Sequence, residues 1–215
     1  MSKLFCFDTE TTGLDTRKCA IHQLSGKIII NDEVKEIFNF KIRPHEGAII
    51  NDESLEISGV TREQIMAYPS PVEFYQALIK MLSKYVDKFN KRDKFHLAGF
   101  NNCKFDNELL RALFERMEDK YFGSWFWSDS IDAMVLASLF LEDKRALMPD
   151  FKLMTVAKFC GIPVDESKLH DAQYDIEITY RVIKGIKTYM NMGIKAWNVK
   201  IEQKKQAKQQ SQLDL

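Results

Sequence analysis

Apolar and polar residues alternate, or recur at fixed spacing, along most of the chain, and this pattern predicts strands followed by helices. Apolar runs at residues 4–7, 20–30 and 36–42 predict three strands, and the polar residues 31–33 mark a hairpin turn between the second and the third. A shorter run at 95–99 predicts a fourth strand. The first three strands should therefore form an antiparallel meander.

Apolar positions spaced three and four residues apart predict amphipathic helices in the rest of the chain. The clearest helix starts at Pro71 and keeps an apolar stripe as far as Phe89, and another is capped by Ser128 or Asp129 after a short strand at 126–127. The other predicted helices cover residues 52–57, 104–118, 150–160 and 171–190. Strands that alternate with helices indicate an α/β fold with a partly parallel sheet.

Composition narrows the class of protein without selecting a partner. Lys and Arg total 31, as do Asp and Glu, so the formal net charge is zero and a nucleic-acid partner is neither required nor excluded. No apolar run approaches the roughly 20 residues of a membrane span, and no signal peptide precedes the first strand, so we expect a cytoplasmic protein without membrane contact. The four cysteines form no Cys-x-x-Cys pair, and we expect reduced thiols in the core.

The first strand ends in carboxylates. Asp8 and Glu10 are two residues apart, so in a strand their side chains project from the same face. Two like charges at the edge of a core repel each other and lose hydration, and a cation between them offsets both costs. Hard divalent ions with oxygen ligands fit that need. The alternative is a strand that ends in a polar turn, where Thr, Asp and Gly are common.

Two further acids fall on apolar helix faces, where an unpaired charge is costly. Asp106 shares its stripe with Leu110, and Asp175 shares its stripe with Ile178. The alternative for Asp106 is that it only complements the positive end of its helix, as acids in a first turn often do. His170 precedes the last predicted helix, where a solvated loop histidine is the alternative to a functional one.

Taken together, these residues resemble the DEDDh exonucleases, the DnaQ-like family that includes the proofreading epsilon subunit of bacterial DNA polymerase III. The first motif covers residues 7–14 (FDTETTGL), the second 102–106 (NCKFD) and the third 170–175 (HDAQYD). A weaker match lies at 57–61 (ISGVT), and the resemblance extends over roughly residues 3–188. Motifs in this order, on the predicted elements, are a specific signal.

The chain departs from the family pattern at three positions. Asn101 stands where the family commonly has His, Gln173 where it has an apolar residue, and Ser58 where epsilon-like members have His. None of these departures replaces an acid of the motifs or His170.

The resemblance implies a ribonuclease H-like α/β fold, with a five-stranded mixed sheet and helices on both faces. We assign residues 1–190 to this exonuclease domain. Residues 191–215 are rich in Lys and Gln with few large apolar side chains, and we expect them to form a flexible tail.

The resemblance also implies the chemistry. Two divalent ions, Mg²⁺ or Mn²⁺, would stabilise both ends of an in-line displacement. His170 would be the general base that takes a proton from the attacking water. The metal ligands implied by the motifs are Asp8, Glu10, Asp106 and Asp175.

Substrate contacts are implied by the same resemblance. The backbone around Thr9 and Thr12 would hold the terminal nucleotide, Leu14 and Phe105 would wedge its base, and Glu53 would bind the 3′-hydroxyl. Contacts to phosphate, sugar and stacking surface carry no base identity, so removal of 3′ nucleotides should be independent of sequence.

Our leading hypothesis is a 3′-to-5′ exonuclease that acts on a free 3′ end of DNA, single-stranded or mismatched, in proofreading or repair, with a DNA polymerase as a candidate partner. An RNA-trimming exonuclease is the nearest alternative, because the motifs do not encode the sugar. A non-catalytic binding module is the third.

The end of the chain favours DNA. Gln212, Leu213, Asp214 and Leu215 resemble the short peptide by which bacterial replication and repair proteins dock on the sliding clamp. Trp125 and Trp127 could stack on bases, but no basic run adjoins them in the sequence, which favours a core role.

Overall fold

The computed structural model describes residues 2–168 and 171–213, and for 202 and 204–213 it describes the backbone alone. The strands are β1 (Lys3–Thr11), β2 (Ile21–Ile30), β3 (Glu33–Lys41), β4 (Phe95–Gly99) and β5 (Phe126–Asp132). The helices are α1 (Asp52–Ile57), α2 (Arg62–Met66), α3 (Pro71–Leu82), α4 (Asp106–Arg116), α5 (Phe122–Trp125), α6 (Ala133–Phe140), α7 (Leu153–Phe159) and α8 (Ala172–Leu213).

The five strands form one mixed sheet in the order β3-β2-β1-β4-β5. β1 pairs with β2, and β2 with β3, in antiparallel fashion, which confirms the predicted meander. β4 runs parallel to both β1 and β5. The carboxyl ends of β1, β4 and β5 therefore meet at one edge of the sheet.

Each face of the sheet packs on its own hydrophobic core. Phe5 and Phe7 of β1 point to a core shared with α3, α4 and α5, whereas Leu4 and Cys6 point to a second core shared with α6, α7 and α8. The ring of Phe5 stacks on that of Phe38, with centroids 4.9 Å apart. Helices cover both faces, as predicted, because successive side chains of a strand alternate between its two sides.

Two helix boundaries differ from the prediction. α3 ends at Leu82, so the predicted continuation of the helix is wrong; of the apolar residues beyond it, Val86 is buried as predicted, whereas Phe89 is 85% exposed. β5 is longer than predicted and ends at Asp132, whose side chain accepts hydrogen bonds from the first backbone N–H groups of α6. Neither Ser128 nor Asp129 is the cap, because the strand continues through both.

The last helix differs most from the prediction. α8 continues to Leu213, whereas the sequence pattern ends it near Met190. The backbone of residues assigned to a flexible tail is thus helical as far as Leu213, and flexibility of 191–215 remains a prediction. Ala, Lys, Gln and Glu dominate this stretch and have high helix propensity, while Gly193 costs only about 1 kcal/mol.

The prediction for the cysteines is confirmed in part. Cys6 and Cys19 are buried, Cys160 is half-buried and Cys103 is exposed, so a core role for Cys103 is wrong. Cys103 lies in the turn before α4, which faces solvent. Across residues 2–168 and 171–213, no helix is long and apolar enough to cross a membrane.

Candidate active site

Asp8 and Glu10 project from the same face of β1, as the strand period predicts. Both are half-buried, and they lie opposite Ser25 and Gln23 of β2. The β1–β2 register shifts between Glu10 and Thr11, directly after the second carboxylate. A shift of this kind bends the strand and redirects its side chains, which is common beside active sites.

The pKa of Asp8 shows that the four predicted acids lie near one another. The pKa of Asp8 lies well above its usual range because the carboxyl is desolvated. The charges of Asp106, Glu10 and Asp175 raise this pKa further, in that order of effect. Three elements thus direct carboxylates at one point, namely the end of β1 and the first turns of α4 and α8. Such mutual repulsion falls when a cation binds between the groups.

Asp106 is the first residue of α4, and its side chain is turned inward with 5% of its surface exposed. Its Oδ1 atom accepts hydrogen bonds from the Thr9 backbone N–H at 3.0 Å and from the Thr9 hydroxyl at 2.5 Å. Burial raises the pKa of Asp106 to about 6, although these bonds from Thr9 oppose the rise. A helix-end charge exposed to solvent would not show this burial, so the inward orientation predicted from the stripe is confirmed.

A buried aspartate that the sequence analysis missed holds the turn before α4. Asp132 accepts the backbone N–H of Asn101 at 2.9 Å and that of Cys103 at 3.3 Å. Asn101 has a φ of +62°, a left-handed conformation that Asn tolerates better than most residues. Asp132 therefore fixes the turn that places Asp106. An Asp directly before the apolar run 133–141 is the signal that could have identified it as a cap.

The same turn packs closely on the end of β4. A Cβ on Gly99 would lie 2.7 Å from the Cβ of Asn102, so a larger residue does not fit there. Asn102 is fully buried, and its amide donates to the Ser130 hydroxyl at 2.8 Å and to Asn107 Oδ1 at 3.0 Å. The second motif is thus held by hydrogen bonds on both sides.

Glu10 is hydrogen-bonded to Ser58, one of the three residues at which the chain departs from the family pattern. The Ser58 hydroxyl donates to Glu10 Oε2 at 2.8 Å. Ser58 follows the last residue of α1, so this bond joins α1 to the end of β1. The two residues are far apart in the chain, and no local pattern predicts their contact.

Thr12 is buried and hydrogen-bonded to other parts of the fold. It is fully buried, its hydroxyl donates to the Ile49 carbonyl at 2.6 Å, and its backbone N–H donates to the Ala20 carbonyl at 2.9 Å. The Thr12 side chain is thus bonded within the fold, and the role of the backbone around Thr12 toward a nucleotide remains a prediction. Thr9 is also buried, with its N–H and hydroxyl both bonded to Asp106.

The other predicted substrate residues are accessible. Leu14 is 85% exposed and Phe105 is half-buried, immediately before Asp106. Glu53 is exposed in the first turn of α1, on the same short helix that leads to Ser58. Their roles toward a nucleotide remain predictions.

Asp175 lies in the first turn of α8 and is half-buried. Ile178 and Val182, which share its predicted stripe, are fully buried in the second core. Asp171 precedes α8 and accepts the backbone N–H of Gln173 at 2.9 Å, which fixes the start of the helix. His170, the predicted general base, lies outside the described residues.

In the described ranges, no three His, Cys, Asp or Glu side chains are grouped closely enough to hold a metal ion as they stand. One oxygen of Asp106 is turned to Thr9, and one oxygen of Glu10 is turned to Ser58. Ligation would therefore require the carboxylates to draw closer together, which their mutual repulsion opposes without a cation. The donor set consists of oxygens alone, which fits Mg²⁺ or Mn²⁺.

The tryptophans lie toward the amino ends of β4 and β5, and Trp127 is about 13–20 Å along the strand direction from Asp8 and Glu10. Trp125 is 3% exposed and belongs to the first core, as predicted. Trp127 is half-buried, stacks on His96 with centroids 6.0 Å apart, and has Lys94 Nζ 5.1 Å from its ring. A basic residue does therefore adjoin Trp127 in space.

The fold and the acids at the end of β1 define a ribonuclease H-like α/β domain. A family profile described as Exonuclease, RNase_T, matches residues 5–183. The chain therefore belongs to the RNase_T exonuclease family and is a 3′-to-5′ exonuclease of the DnaQ-like type. Among similar curated proteins, Ribonuclease T of Cronobacter sakazakii is 25% identical over 181 residues, which cover 80% of this chain and 75% of the relative. Ribonuclease T of Haemophilus influenzae is 26% identical, covering 81% and 75%.

Solved structures show the same fold. E. coli exonuclease I in complex with a dT13 oligonucleotide superimposes with a TM-score of 0.71 at 21% identity, over 91% of this chain. A zinc-bound complex of E. coli exonuclease I with single-stranded DNA gives a TM-score of 0.69 at 20% identity. The present chain spans 43% and 41% of the lengths of these two chains. The ribonuclease H-like fold predicted from the motifs is confirmed.

Proposed function

We propose that this protein removes nucleotides from the 3′ end of single-stranded nucleic acid by metal-dependent hydrolysis, with DNA as the leading substrate. One observation carries the proposal. The pKa of Asp8 is raised by desolvation of its carboxyl and, further, by the charges of Asp106, Glu10 and Asp175, of which Asp106 and Asp175 come from distant parts of the chain. A fold that keeps four like charges together at its surface edge is stable only if a cation or a proton compensates them.

The four carboxylates are the proposed ligands of two divalent ions. When bound, Mg²⁺ or Mn²⁺ stabilises the charge that develops on the attacking and leaving oxygens of the phosphodiester. Asp8 would hold the ions together with Glu10, Asp106 and Asp175, whose charges act on its carboxyl. His170 accepts a proton from the attacking water, for which a pKa near neutrality is suited.

The proposed substrate contacts follow from exposure. Leu14 is exposed and Phe105 directly precedes Asp106 in the chain, and the two would wedge the terminal base, while Glu53 would bind the 3′-hydroxyl. Because Thr9 is bonded to Asp106, its role is to orient that carboxylate. These groups read no base edges, so cleavage is expected to be independent of sequence.

Two substrate classes remain as proposals. Similar proteins named Ribonuclease T favour RNA, whereas the likeness to a structure of exonuclease I with bound dT13 favours DNA. A proofreading or repair role, with a polymerase as partner, is a finer proposal that rests on the resemblance of the motifs to the epsilon subunit.

The test compares substrates directly. Single-stranded DNA, a duplex with a mismatched 3′ terminus and RNA, each labelled at the 5′ end, are incubated with the protein and Mg²⁺ or Mn²⁺. Progressive shortening from the 3′ end is expected, fastest on single-stranded DNA. Preferential shortening of RNA would establish the alternative substrate. Absence of hydrolysis on all three, with the Asp8→Ala variant as the blank, would favour a non-catalytic binding module.

A sliding-clamp contact is proposed for the end of the chain. The backbone of Gln212 and Leu213 is helical, and Asp214 and Leu215 lie outside the described residues. Docking as an extended peptide would therefore require the last turn of α8 to unwind, which favours weak binding. Deletion of 212–215 should abolish binding to a bacterial sliding clamp and leave hydrolysis of short oligonucleotides unchanged. Equal clamp binding by the full and shortened chains would overturn this proposal.

A further inference from the structure

The side chain of Ser58 touches a proposed metal ligand from a separate element. Ser58 lies one residue beyond α1, and its hydroxyl is 2.8 Å from Glu10 Oε2. It is also 3.1 Å from the Ser54 carbonyl. A hydroxyl has one proton to donate, and a carboxylate is the stronger and here the nearer acceptor. The proton of Ser58 is therefore directed to Glu10.

The element that carries Ser58 is anchored at its other end as well. The backbone N–H of Asn51, the residue that caps α1, donates to the Thr12 carbonyl at 2.8 Å. Leu55, in the middle of α1, is 3% exposed. Glu10 lies near the end of β1 and Thr12 directly follows the strand. Both ends of α1 are therefore hydrogen-bonded to the same part of the chain. The position of the Ser58 hydroxyl is thus set by the fold and not by its own rotamer alone.

We infer that Ser58 is a positioning residue for the metal centre, which holds Glu10 so that the remaining oxygen, Oε1, is presented to a divalent ion. This inference rests on the proposed function, in which Glu10 is a metal ligand. Glu10 contributes to the repulsion that raises the pKa of Asp8, so a free Glu10 side chain would tend to rotate away. Hydrogen-bond partners of metal-ligating carboxylates fix their orientation, and loss of such a partner costs about 10–100-fold in metal affinity.

The positioning role of Ser58 also affects the surface of α1 that carries Glu53, the residue proposed to bind the 3′-hydroxyl. α1 begins with Asp52 and Glu53 and ends beside Ser58, with Ile57 72% exposed. A displacement of α1 by a bound nucleotide would reach Glu10 through the Ser58 hydrogen bond. Ser58 therefore connects the surface that carries Glu53 to the metal ligands, and metal affinity and substrate affinity should change together when Ser58 is replaced.

The test measures Mn²⁺ binding without substrate, by calorimetry, for the wild type and for Ser58→Ala, Ser58→Thr and Ser58→Cys. Ser58→Ala should bind Mn²⁺ about 10–100-fold more weakly, Ser58→Thr should stay within about threefold of the wild type, and Ser58→Cys, with a weak donor, should fall between. Ser54→Ala is the matched control on the same helix and should bind as the wild type does. Cys at position 58 also serves if the Ala variant fails to fold.

A second measurement separates positioning from a merely structural role. The Mn²⁺ concentration that gives half-maximal hydrolysis should rise in Ser58→Ala, while the rate at saturating Mn²⁺ approaches that of the wild type. Equal Mn²⁺ affinity in the wild type, Ser58→Ala and Ser58→Cys would overturn the inference and leave the proposed function intact. Absence of Mn²⁺ binding by the wild type would instead overturn the proposed metal centre itself.

Discussion

Two aspartates near the carboxyl ends of β1 and β5, the strands on either side of β4, have opposite surroundings. Asp132, at the end of β5, accepts backbone N–H groups from Asn101, Cys103 and Met134 and is 4% exposed. The pKa of Asp8, near the end of β1, is raised by desolvation and then by the charges of three other carboxylates. The first carboxylate is compensated by donors of the fold. The second is surrounded by charge of its own sign.

The difference separates a structural carboxylate from a functional one. A buried anion that accepts several backbone N–H groups stabilises the turn that supplies them. A buried anion among other anions destabilises the fold and persists where a ligand compensates it. Asp106 lies between these cases, because Thr9 gives it two hydrogen bonds and burial still raises its pKa to about 6.

The largest expected effect is on catalysis. Asp8→Asn removes one ligand charge with little change in size, and it should lower Mg²⁺- or Mn²⁺-dependent hydrolysis to the level of the blank. Asp132→Asn should keep measurable activity in the folded fraction, because Asp132 acts only through the turn that carries Asp106. The measurement is the initial rate on labelled single-stranded DNA. Equal loss in both variants would break the distinction between the two aspartates.

His170 belongs with the functional acids according to the third motif. His170→Ala should lower the rate by about 10²–10⁴-fold, which is the usual contribution of a general base. The variant should also lose the acid limb of the pH–rate profile near neutrality. His170→Gln serves as a control for side-chain size. If the profile of His170→Ala matched that of the wild type, another group would have to activate the water.

The two aspartates should also differ in their effect on stability. Asp132→Asn keeps one oxygen acceptor but presents an NH₂ group to a backbone N–H that needs an acceptor, and it should lower the free energy of unfolding by about 1–3 kcal/mol. Asp8→Asn relieves repulsion, and it should raise the free energy of unfolding of the metal-free protein. Urea unfolding in the presence of a chelator measures both. A loss of stability in Asp8→Asn as large as that in Asp132→Asn would contradict this account.

The pH dependence of the free energy of unfolding should show a smaller effect of the same kind, because buried groups with shifted pKa values bind protons differently in the folded and unfolded protein. The folded pKa of Asp106 is raised to about 6, above its unfolded value, so its folded form binds a proton first and stability rises as the pH falls from about 7 towards 4. His22 acts in the opposite direction, because burial lowers its pKa to about 4 and stability falls as the pH drops below about 6.5. Asp106→Asn should remove the contribution of Asp106, weaken that of Asp8, whose pKa the charge of Asp106 raises, and leave the contribution of His22 unchanged. Parallel pH curves for the wild type and Asp106→Asn would exclude a raised pKa.

Local periodicity predicted much of the fold and the orientation of the acids. The two-residue spacing correctly predicted that Asp8 and Glu10 share a face of β1. The helical stripe correctly predicted that Asp106 points inward. The same reasoning failed for the length of α3, which ends at Leu82 although apolar residues continue; Val86 is still buried, but Phe89 is exposed.

Contacts between distant parts of the chain were beyond reach of the sequence pattern. The bonds of Asp132 to the turn at Asn101, and of Ser58 to Glu10, join residues 31 and 48 positions apart. The place of Asp132 before the apolar run 133–141 indicates a helix cap, but no neighbour in sequence indicates its contact with Asn101 or the contact of Ser58 with Glu10. For α8, the pattern ended with the buried stripe, whereas helix propensity extends the backbone to Leu213.

The most direct test of the central claim is the thermal unfolding midpoint with and without Mn²⁺. At a concentration about 100 times the dissociation constant, a ligand that binds only the folded state adds about 2.7 kcal/mol, which corresponds to roughly 5–10 °C for a chain of this size. We predict such a rise for the wild type and for Asp132→Asn, from its lower starting point, and none for Asp8→Asn. An equal rise in Asp8→Asn, or no rise in the wild type, would contradict the claim that the acids at the end of β1 form a divalent-cation site.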